Sequence, residues 1–184
     1  MVTTMLSDRT RVVAPTRLVL PVQDLGEQLV GDAIALARQK MALSRRGEDL
    51  ATLLGMPAFL NAFVHALGCR VAEALAENDQ FVQQVYTYDP SLNPDSESGD
   101  ELPATGTVHL LVQVAKPSAA LEALIVSLDK ELTAKLRALP STRFAERASV
   151  LDVNLLTEED VRLGTGYAVM LSSVFAPPLK VWQR

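Results

Sequence analysis

Two histidines, His65 and His109, one cysteine, Cys69, and a spread of carboxylates are the groups in this 184-residue chain that could grip a metal ion or move a proton. The densest run of acids is DPSLNPDSESGDELPAT, residues 89–105, which carries Asp89, Asp95, Glu97, Asp100 and Glu101. Hard divalent cations take oxygen ligands, so Asp95, Glu97 and Asp100 are the candidates for a weak cation site. The spacing does not fit an EF-hand loop, because Gly99 at its sixth position would put Pro94 first, where a carboxylate is required. Two histidines rule out a multi-His centre. Pro, Ser, Gly and acid together describe a solvated connection, and no metal or cofactor is expected.

Nucleophilic and phosphate-binding chemistry is no better supplied. Cys69 sits in the apolar run HALGCRV without a second thiol, so it reads as a small hydrophobe. There is no GxxxxGK[ST], no GxGxxG and no GxSxG; the GTG at 164–166 is too short to cradle a phosphate. His109 in TVHLLVQVA and Asp152 in SVLDVNLL are a pair of polar residues inside strand-like runs. Arg143, Arg147 and Arg162 could gather near Asp152, although ordinary surface charge explains them as well.

The elements that must position this pair follow from hydrophobic periodicity. From Asp24, Leu25, Leu29, Ala33, Leu36 and Ala37 recur at helical spacing, with Arg38 and Lys40 where the helix dipole favours cations. Glu48–Leu54 forms a short helical piece, and Pro57 opens a long helix through Phe59, Phe63, Leu67, Val71 and Leu75 to about Asn78. The uncharged stretch from Leu50 to Cys69 is long enough to cross a bilayer, but Gly55 and Pro57 interrupt it and Asn61 and His65 are polar, so no membrane span is expected. Phe81–Tyr88 and Thr107–Ala115 read as strands, the second apolar enough in HLLVQV to be buried on both faces. Pro117 starts a helix with a Leu121, Leu124, Leu128, Leu132, Leu136 stripe, and Pro140 stops it. Ser149–Leu156 alternates as a strand, Thr157 with Asp160 forms a capping-box pattern, and LKVW near the C-terminus is a final short strand.

This order predicts an α+β fold. A mixed sheet contains a strand–helix–strand unit over 107–156, and a helical layer over 24–78 precedes it. Strands 81–88 and 107–115 should pair antiparallel, since the connection between them holds no crossover helix. Residues 1–20 form an N-terminal arm that could add an edge strand, and 21–184 form one α+β domain.

In this order of elements, and in the texture of HLLVQV and DVNLLTEEDV, residues 81–160 resemble the minimal nucleotidyltransferase fold of the DNA polymerase β superfamily. The resemblance implies a Gly-Ser pair near Pro90 and Ser91, paired carboxylates at Thr107 and His109, and a third carboxylate at Asp152. Only Asp152 matches, and the resemblance makes it and His109 the candidate catalytic residues. Two-metal phosphoryl transfer needs carboxylates bridging ions about 4 Å apart, and one aspartate cannot do that. The resemblance therefore implies a degenerate, inactive member.

Charge and composition point the same way. A net charge of −5 argues against general nucleic-acid binding. A hydrophobic fraction of 48% leaves apolar surface for a subunit contact. The expected function is a non-catalytic binding or assembly protein, not an enzyme, partnered by itself as a homo-oligomer or by another protein. Its interface would be the apolar helices before Asn78 or the C-terminal segment. With a single cysteine and no signal-peptide pattern, the expected location is cytoplasmic. The alternative is a nucleotide-binding or nucleotidyl-transferring enzyme with an atypical active site.

Overall fold

A computed structural model of the chain describes residues 22–41, 48–88, 106–174 and 177–184. The first helix, α1 (Val22–Lys40), turns Leu29, Val30, Ala33 and Ala37 inward, with Asp24 in its first turn and Arg38 and Lys40 in its last. Asp49 caps α2 (Leu50–Gly55) by accepting from the Thr52 amide at 2.7 Å. Met56 is extended, and α3 (Pro57–Asn78) starts with proline in its first turn, where a missing N–H leaves no bond unmade.

Helix α3 is the centre of the molecule. Phe59, Leu60, Phe63, Leu67, Val71 and Leu75 are at most 1% exposed, and small residues bury much of the remaining circumference. By length and composition it could cross a membrane, yet most of its apolar surface is taken up by neighbours within this fold. Gly68 marks its closest approach to the sheet: a Cβ there would lie 3.2 Å from Thr87 Cγ2 and 3.3 Å from Val108 Cγ1.

Four strands form the sheet: β1 (Val82–Thr87), β2 (Val108–Val114), β3 (Leu151–Thr157) and β4 (Leu179–Gln183), in the spatial order β3-β2-β1-β4. β1 runs antiparallel to β2 and β4, while β2 and β3 are parallel, so the fold is α+β with a mixed sheet. The crossover between β2 and β3 is α4 (Ala119–Arg137), whose Leu121, Leu128, Leu132 and Leu136 are buried. It begins two residues later than Pro117 suggested, because Ser118 is the cap and accepts from the Leu121 amide at 3.3 Å. A short α5 (Thr142–Ala145) follows and brings Phe144 edge-on to Phe63, with ring centroids 6.1 Å apart.

Val108, Leu110, Val112 and Val114 face the helices with Val82 and Val85, and Trp182 of β4 packs beside Val85. The bulge between Val82 and Gln84 shifts the register of β1 and sends Tyr86 to the opposite face. That face is covered in part by a 3-10 helix (Gly166–Ser172), reached through α6 (Glu158–Leu163). Thr157 and Asp160 form the predicted capping box reciprocally, and Gly164 closes α6 at φ 62°, a left-handed conformation that suits glycine. Residues 1–20 and the acidic connection 89–105 lie outside the described residues, and with them the expected edge strand.

Candidate functional site

Strand alternation places one set of side chains on the face opposite the helices. The register aligns Lys180, Tyr86, Leu111 and Asn154 in one row across β4, β1, β2 and β3. In the next row His109 is opposite Asp152, and Tyr88, just beyond β1, donates its amide to the His109 carbonyl at 3.3 Å. Leu111 and Leu156 are buried beneath Ala168, with Met170 and Leu171 beside them, so the middle of β2 is covered on both faces as HLLVQV suggested. His109 and Gln113 remain partly open.

The polar centre is Asp152. Its Oδ2 accepts from the Tyr88 hydroxyl at 2.9 Å and from His109 Nδ1 at 2.8 Å. Asn154 Nδ2 donates to Tyr88 Oη at 3.2 Å and, more distantly, to Asp152 Oδ1 at 3.3 Å. Tyr88 and His109 rings are tilted at 48° with centroids 5.2 Å apart. Burial pushes the Tyr88 phenol far above its ordinary pKa, and its hydrogen bond to Asp152 and the charge there push the same way. Tyr88 is therefore a fixed O–H donor at any physiological pH. The Asp152 side chain is 44% exposed and that of His109 15%. His109 Nε2 is buried and has no hydrogen-bond partner.

The chemistry of this arrangement is limited. An imidazole whose Nδ1 donates to a carboxylate has its basic lone pair on Nε2, and here Nε2 is buried. Among the described residues the site holds one carboxylate, and no three His, Cys, Asp or Glu side chains converge to hold a metal. The candidate pair His109 and Asp152 is thus brought together, whereas Thr107, where the resemblance implies a carboxylate, adds none. Asp95, Glu97 and Asp100 lie outside the described residues. Arg162 pairs with Glu159 at 3.6 Å and Arg147 offers its carbonyl to Arg137 at 3.0 Å. Cys69 lies one turn from His65 on α3, with Sγ 3.8 Å from Nε2, and desolvation raises its thiol pKa and lowers that of His65.

Tyr88 and Asn154 belong to the site although no motif singled them out. Alternation alone carried the signal, since Tyr88 follows Tyr86 by two residues and Asn154 follows Asp152 by two. No protein-family model matches the chain, and no curated protein or solved structure matches it either.

Proposed function

We propose that this chain is a non-catalytic binding or assembly protein whose partner is a second copy of itself, docked through the C-terminal segment. One observation carries the reading. Leu163 (55% exposed), Tyr167 (50%), Val169 (57%), Val174 (87%) and Leu179 (57%) leave large apolar side chains in solvent, and they are all but one of such residues in the described chain. The helices before Asn78, the other expected interface, face inward instead.

Leu179 pairs with Thr87, which faces Gly68 of α3, and so lies on the helix side of the sheet. The other four, within residues 163–174, present on the order of 400 Å² of surface, comparable with the apolar patches that mark docking sites. A standard contact buries about 800 Å² per partner, so this patch would form its apolar core and a polar rim would supply the rest. Glu158, Glu159, Arg162 and Lys180 are exposed in the same segment and carry both signs. A twofold axis sets a patch against itself, so mixed charge at its margin favours self-association over a partner of one sign.

Light scattering across a concentration series should give the mass of a dimer. The double substitution Tyr167→Ser, Val169→Ser should give a monomer with an unchanged circular dichroism spectrum. A wild-type monomer at every concentration overturns the reading. A second reading, a degenerate nucleotidyltransferase-like protein that still binds nucleotide, is favoured by the meeting of His109 and Asp152 at 2.8 Å. It calls for a rise in melting temperature with Mg²⁺ or Mn²⁺ and a nucleoside triphosphate, lost in Asp152→Ala.

A further inference from the structure

We propose that Asp152 anchors a site for an organic cation, a primary ammonium or guanidinium group, on the face of the sheet opposite the helices and beside the Tyr88 ring. Tyr88 and His109 both bond Oδ2 and hold the carboxylate in one orientation. Oδ1 receives a single long contact from Asn154, at 3.3 Å. Each carboxylate oxygen can accept about two hydrogen bonds, so Oδ1 keeps capacity, and with the side chain 44% exposed that capacity meets solvent. A carboxylate already fixed by its neighbours loses little freedom on binding, which favours a small charged ligand.

The surroundings select the class of ligand. Tyr88 stays protonated and adds no charge, and His109 is the one described basic group that bonds Asp152. A phosphate would be repelled by the carboxylate. Among the described residues a divalent ion would find one carboxylate, with the neighbouring imidazole nitrogen already committed to it. An ammonium or guanidinium group needs an acceptor oxygen and gains from an aromatic neighbour. Tyr88 supplies a ring, whose hydroxyl is bonded to the same carboxylate. The net charge of −5 attracts cations from a distance. None of this depends on the proposed dimer.

The shared chemistry has two sources, a free amine or guanidine and a Lys or Arg side chain of a protein partner. The test is a titration of the ¹⁵N-labelled full chain with methylguanidinium and butylammonium chlorides, and separately with a short peptide carrying one arginine. NaCl serves as the ionic-strength control. Saturable shifts confined to Tyr88, His109, Asp152 and Asn154 are expected. Asp152→Asn should weaken binding roughly tenfold or more, and Glu122→Gln, which removes the same charge from an exposed turn of α4, should leave it unchanged. Equal saturation by the small cations identifies a free amine as occupant, and a peptide at least tenfold tighter identifies a partner's side chain. Shifts that never saturate, that scatter over the surface, or that persist equally in Asp152→Asn overturn the proposal. The wild-type map decides the matter even where the substitution disturbs folding.

Discussion

Asp129 offers the sharpest test of how the sheet is held to its helices. It lies on the third turn of α4, and its Oδ1 accepts from the amides of Val150 at 3.0 Å and Leu151 at 2.9 Å, and from Ser149 Oγ at 3.1 Å. Thr133 Oγ1 adds a longer contact at 3.4 Å. Val150 is fully buried and Leu151 is 8% exposed, so their amides have poor access to water. Replacing Asp129 by Ala leaves both unsatisfied where β3 begins. Hydrogen bonds to a charged group contribute about 1.5–3 kcal/mol each, and two amides sharing one oxygen should together lose about 3 kcal/mol. Asp129→Asn keeps a carbonyl acceptor without the charge and should lose about half of that.

Urea unfolding of the full chain measures both variants. At this length a loss of about 3 kcal/mol corresponds to a drop of about 6–12 °C in melting temperature. Asp129→Ala within about 0.5 kcal/mol of wild type would refute the bridge. So would equal losses for Ala and Asn, since charge alone, not acceptance by a shared oxygen, would then explain the effect.

Two further substitutions probe packing and capping. Gly68→Val should destabilise by about 1–3 kcal/mol in the same unfolding assay, because a side chain there must displace Thr87 and Val108 from β1 and β2; a neutral result would mean that α3 can ride off the sheet. Hydrogen bonds from the Thr157 hydroxyl and amide hold the Asp160 carboxyl below its ordinary pKa. A depressed folded-state pKa gives stability that is present above the unfolded value, about 3.9, and is lost as pH falls through the folded value. Wild type should therefore exceed Asp160→Asn in melting temperature at pH 7, and the gap should close below about pH 4. A gap that is independent of pH would show that the cap, and not its ionisation, carries the difference.

The local features were legible because local physics sets them. The leucine stripe of α4, the break between α2 and α3 at Gly55 and Pro57, and the Thr157–Asp160 cap all depend on residues within one or two turns. The antiparallel pairing of β1 with β2 and the parallel pairing of β2 with β3 also followed from the sequence of the connections, Pro-, Ser- and acid-rich in the first and helix-patterned in the second. The candidate pair of His109 and Asp152 came from the positions that the resemblance implies, and the register sets the two residues opposite each other.

Partners far apart in the chain needed the tertiary structure. Nothing near LKVW states that β4 pairs with β1, nearly a hundred residues upstream, nor that Asp129 reaches across to the start of β3. The bulge in β1 decides that Tyr86 shares a face with Leu111, and a one-residue slip would have turned it to the helices. The same long-range register brings Tyr88 to Asp152, and packing of Leu67, Leu75 and their neighbours against α1 and the sheet is what turns the apolar α3 inward. Side-chain type and short spacing dictated the elements; which strands became neighbours, and so which polar groups meet, was decided by burial shared across the whole chain.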